Sequence, residues 1–132
     1  MRRLPFDFSI KCSLFILLVI SLFNLSVFLG FVPYDIVWGG RLKTVEEMRV
    51  FELVSIVLNV FSGFLVAIKG GYIFSQYKKF VNVLIWVLPF LNFLGILGNA
   101  ASKSDTERAL FLPVAIVMFV LTLRIALEKT GN

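Results

Sequence analysis

Hydrophobic residues run in four long stretches, about Cys12 to Leu29, Val45 to Ile68, Phe80 to Gly98 and Ala109 to Leu127, separated by segments richer in charge and glycine. Each stretch is close to the ~17–25 residues that carry an α-helix across ~30 Å of hydrocarbon. Membrane strands would need only ~10 residues of alternating character, so the continuous runs predict helices. The pattern therefore predicts an all-α fold: a four-transmembrane-helix bundle of two helical hairpins, with residues 1–132 as a single domain.

The second stretch breaks its own hydrophobicity in a regular way. Glu52, Ser55, Asn59 and Ser62 recur at steps of three and four residues, which places them along one helical face. Polar groups at membrane depth face protein or water rather than lipid, so this stripe should point into the bundle. Thr44-Val45-Glu46-Glu47 reads as a capping box, and from that cap Glu52 lies about 12 Å along the helix, below the headgroups. A second reading competes with a site. Ser55, Asn59, Gly63 and Ala67 form a small-xxx-small ridge, in which Asn59 would only hydrogen-bond a neighbouring helix.

Composition supports the membrane reading: of 132 residues 59% are hydrophobic and 16% charged, with a mean hydropathy of +0.95, far from a soluble domain. Histidine is absent and Cys12 is the single cysteine. That excludes an intramolecular disulfide, CxxC redox chemistry, a Cys/His zinc site and His-ligated haem. No cofactor or metal is expected. The formal net charge of +5 does not indicate nucleic acid, because the basic residues cluster at the ends of apolar runs.

Arg2, Arg3, Lys11, Lys69, Lys78, Lys79, Arg124 and Lys129 fall on one side of the predicted bundle, against Arg41, Lys43, Arg49, Lys103 and Arg108 on the other. The positive-inside rule then puts both termini in the cytoplasm. The first run resembles a signal peptide but ends in Ser26-Val27-Phe28-Leu29-Gly30 without a small-residue cleavage site, so it is expected to be retained as a helix. Ser104-Asp105-Thr106-Glu107 reads as a second capping box, opening the fourth helix. That helix offers little polar chemistry beyond Pro113 and Thr122, and Arg124 is expected to snorkel to the inner surface.

Other polar residues reach the height of Glu52. Asn24 falls in the outer half of the first helix if that helix starts near Cys12, and Asn92 and Asn99 share a face of the third with Gly95. The loop from Val32 to Leu42 holds Asp35, Trp38, Gly39, Gly40 and Arg41 and reads as a segment folded over the bundle mouth. Trp38 would be its lid, and Arg41 a fixed cation for Glu52, with Arg49 as the competing local partner.

The string Tyr34-Asp35-Ile36-Val37-Trp38-Gly39-Gly40-Arg41-Leu42, with Glu46-Glu47-Met48 and Phe51-Glu52, resembles uncharacterised small bacterial four-helix integral membrane proteins. The resemblance implies a multi-pass protein of the bacterial inner membrane in which Trp38, Arg41 and Glu52 belong to one unit; it carries no activity. The leading expectation is an outward-facing polar pocket, formed by Glu52, Arg41, Trp38, Asn59, Asn24, Asn92, Ser55 and Asp35, that binds a lipid or a small amphipathic molecule. Transport by four helices would require a homo-oligomer. Two alternatives stay open: a structural or accessory protein whose polar residues lock helix packing, and a metal-free membrane enzyme using Glu52 as acid or base on a lipid-soluble substrate.

Overall fold

The computed structural model describes residues 4–31, 43–101 and 105–129, apart from the side chain of Glu107. Helix α1 spans Phe6–Phe28, α2 Val45–Lys69, α3 Lys78–Leu84, α4 Val87–Ala100 and α5 Asp105–Leu127, with a single 3-10 turn at Ser75–Tyr77. There is no strand among the described residues. Three helices are long and apolar enough to cross a membrane, or four if the bent pair formed by α3 and α4 counts as one span.

Local sequence explains the boundaries. Helix α1 starts at Phe6, six residues before the Cys12 start taken from hydropathy, because Pro5 at its N-cap is extended at φ −61° and ψ 140°. The Thr44 side chain accepts from the Glu47 amide at 3.1 Å, as a capping box requires. The reciprocal arm differs: Glu47 accepts from the Lys43 amide at 3.2 Å, one residue before the cap itself. The box proposed at Ser104 to Glu107 lies outside the described residues.

Helix α2 ends in a Schellman turn. Gly71 takes φ 83°, the Tyr72 amide reaches back to Ala67 O and the Gly71 amide to Ile68 O, both at 3.0 Å. The adjacent Gly70 is needed for a different reason: a Cβ there would lie 2.8 Å from Ile10 Cγ2 of α1. Ser9 and Ser13 of α1 are both fully buried.

The third apolar stretch is not one straight helix, as its hydropathy suggested, but is bent by 47° between α3 and α4. Pro89 supplies the cause. It has no N–H for the Ile85 carbonyl, which instead accepts from the Leu88 amide at 3.0 Å in a tighter turn. Pro89 thereby sits in the first turn of α4, where a missing donor costs little.

Helix α1 packs against α2 and α5, α4 packs against α5, and α2 meets the chain again through α3. The core of Ile10, Leu17, Leu65, Val66, Val81, Ile85, Leu88, Met118, Leu121 and Ile125 is concentrated at the end of the bundle where α2 terminates. Large apolar side chains such as Phe15, Phe31, Val83 and Phe90 point outward, as expected of a surface facing hydrocarbon.

Candidate functional site

A cavity of about 360 Å³ opens between the four helical layers. Its lining runs from Leu88 to Asn99 on α4 and from Phe111 to Thr122 on α5, eleven residue steps on each, which is about 16 Å at the α-helical rise. The predicted stripe of Glu52, Ser55, Asn59 and Ser62 lines it from α2, and Asn24 from α1. Asn92, Gly95 and Asn99 line it from α4, on the shared face that their spacing indicated. The opposite walls are apolar, with Leu17, Ile20 and Phe23 from α1 and Phe111, Val114, Ala115 and Met118 from α5. Phe23 and Phe111 close one corner, ring centroids 4.9 Å apart.

Glu52 is 1% exposed and is the single ionisable group among the described residues of the lining. The local partner weighed for it does not form: Arg49 is exposed, and no ion pair joins it to Glu52 among the described residues. Asp35, Trp38 and Arg41, the loop members of the expected pocket, lie outside the described residues.

The polar groups in the cavity divide into two sets. Asn92 donates to Thr122 Oγ1 at 3.1 Å, Asn99 to the Gly95 carbonyl at 2.8 Å, and Ser62 to the Leu58 carbonyl at 2.8 Å. Asn24, Ser55 and Asn59 make no hydrogen bond among the described residues, although all three are partly buried and border the cavity. The interhelical bond that would have made Asn59 a packing residue is therefore not formed there. Thr122, set aside in the sequence as an irregularity, is fully buried and belongs to the lining. A hydroxyl at a helix-interior position beside Met118 and Ile125 gave no signal of this, because its partner Asn92 is thirty residues away.

A second polar cluster ties the far end together. Lys69 is 1% exposed and donates to Asn82 Oδ1 on α3 and to the Glu128 carbonyl beyond α5. Arg124, expected to snorkel toward this end, has fixed partners here. Its Nε donates to the Leu4 carbonyl at 2.6 Å, its Nη1 pairs with Glu128 Oε2 at 3.0 Å, and its guanidinium lies 5.8 Å from the Phe6 ring centroid. The start of α1, the ends of α2 and α5, and α3 thus meet in one polar knot below the apolar core.

Comparison with protein-family models, with curated proteins and with solved structures gives no match.

Proposed function

We propose that the chain is a four-span protein of a bacterial inner membrane, its termini cytoplasmic, whose central cavity binds a lipid or a small amphipathic molecule. In this reading α3 and α4 together make the third span, and the basic knot of Lys69 and Arg124 lies on the cytoplasmic side, as the positive-inside rule favours.

One observation carries the binding reading. Asn24, Ser55 and Asn59 border a cavity of about 360 Å³ with their hydrogen-bonding capacity unused among the described residues. Amide and hydroxyl groups that open into a cavity favour an occupant that pairs with them. Polar residues that serve only packing would be spent on each other, as Asn92 and Thr122 are. That bond is the observation favouring the structural alternative, and it accounts for one pair only.

The test is native mass spectrometry of protein released from phosphatidylcholine nanodiscs doped with 1-monooleoylglycerol. Wild type should retain bound amphiphile, and the pair Asn24→Leu and Asn59→Leu should lose it. Equal retention by both proteins would overturn the reading and leave the stripe as a packing device.

A further inference from the structure

Among the described residues, the ring of helices around the cavity is open on one side. Helix α2 packs on α1, α1 on α5 and α5 on α4, while the return from α4 to α2 is made through α3 at one end. There Lys69 holds Asn82, which fixes the flank of α2 that faces the third span. Going back along that flank at steps of three and four residues gives Leu65, Ser62, Leu58 and Ser55. On α4 the side toward α5 is marked by Asn92, which bonds Thr122, and by Gly95, where a Cβ would lie 4.0 Å from that of Ala115; the adjoining flank, which borders the cavity at Leu91, carries Leu94 and Gly98.

Above the 47° bend at Ile85-Trp86, α4 packs on α5 rather than on α2. Leu58 is 44% exposed although it lines the cavity, and Leu94 is 47% exposed. A Cβ added at Gly98 would meet nothing within 4 Å. The gap is a lateral slot, shut at the knot and open toward the middle of the bundle.

We infer that this slot admits a membrane amphiphile sideways from the bilayer, its uncharged, hydroxyl-rich head entering the cavity while its chain stays among the lipids. This deepens the binding reading above and rests on it. The chemistry of the walls selects the head. Amides and hydroxyls both donate and accept, matching hydroxyl groups one to one, and Ser55 and Asn59 stand beside the slot with capacity unused. An anionic head would find no cationic side chain among the described lining residues, and a cationic head only Glu52, at the end away from the knot; either would pay desolvation along the apolar walls of α1 and α5.

The experiment places a cysteine on the back wall, Ala115→Cys in a Cys12→Ser background, in phosphatidylcholine nanodiscs. N-dodecylmaleimide, dissolved in the bilayer, should label it readily, and either Leu58→Trp or Gly98→Trp should slow that labelling several-fold. Gly98→Trp guards against misfolding, since space is open there, and the melting profile of each variant checks it. Fast labelling by a membrane-impermeant maleimide with none by the dodecyl reagent would overturn the slot but keep the cavity, with entry from the Glu52 end. No labelling by either would remove the cavity itself and the binding reading with it. If both tryptophan variants fold and label at the parent rate, the slot is not the route. For the head, 1-monooleoylglycerol should protect the cysteine at a mole fraction where oleate and oleylamine do not; equal protection by all three would overturn the neutral-head assignment. A disulfide-free dimer that loses labelling on association would instead give the slot to a second copy of the chain.

Discussion

Asn92 Nδ2 donates to Thr122 Oγ1 at 3.1 Å across the α4–α5 contact, and the Thr122 hydroxyl donates to the Met118 carbonyl at 2.6 Å. The pair sits in the cavity wall yet faces protein, which separates it from Asn59. A double-mutant cycle on Asn92→Leu and Thr122→Val should therefore give a coupling near the ~0.6 kcal/mol average, and below the ~1.7 kcal/mol maximum, found for hydrogen bonds between membrane helices. Asn59→Leu should leave the melting temperature unchanged while abolishing retention of amphiphile. Additivity in the first pair, or a destabilised Asn59→Leu, would reverse the roles assigned here.

The knot makes a different prediction, based on what is stranded rather than what is lost. In Asn82→Leu the buried Lys69 ammonium keeps only the Glu128 carbonyl of its two acceptors, whereas Lys69→Met removes the charge together with its need for partners. Asn82→Leu should accordingly be the more destabilising change, by about 1–3 kcal/mol relative to wild type. Reversible unfolding in mixed micelles measures the order. A larger loss from Lys69→Met would mean that the ammonium contributes net stability, and the knot would then be more than a satisfied burial.

Sidedness follows from the same end of the molecule. Because Leu4, Lys69 and Arg124 gather there, the 3-10 turn at Ser75–Tyr77 should be cytoplasmic and Ala101, beyond the other end of α4, external. With Cys12 replaced by serine, Ala101→Cys should react with an impermeant thiol reagent in intact cells and Ser75→Cys should not. The opposite labelling pattern would invert every use of inner and outer in the proposed function.

The helical stretches and the polar face of α2 were legible because both are local: a run of apolar residues and a step of three or four are visible without knowing any neighbour. Glu52, Ser55, Asn59 and Ser62 accordingly all line one cavity. What escaped was non-local. Pro89 was visible, but whether it ends a span or merely kinks it depends on the Ile85 carbonyl finding Leu88 instead. Lys69 looked like an interfacial cation because its acceptors, Asn82 and the Glu128 carbonyl, come from elements thirteen and fifty-nine residues away. The acceptor of Arg124 was hidden for the same reason, since that carbonyl belongs to Leu4.

Glu52 offers the sharpest test of the loop-capped pocket. It is 1% exposed on a helix whose nearest basic residue, Arg49, is exposed and not ion-paired with it among the described residues. A carboxylate at that depth either takes a cationic partner or stays protonated. If the partner is Arg41, as the Gly39-Gly40-Arg41 turn in the sequence suggests, Glu52→Gln and Arg41→Gln should each destabilise, and the double change should cost less than their sum. Each single change strands the opposite charge, and the second change relieves it. Arg49→Gln should add to Glu52→Gln without coupling, because an exposed guanidinium at that position gains little from the pair. Coupling to Arg49 instead would mean that α2 satisfies its own carboxylate. Strict additivity for both arginines would leave Glu52 neutral or held by another group, and the expectation from the sequence that Arg41 pairs with it would be withdrawn.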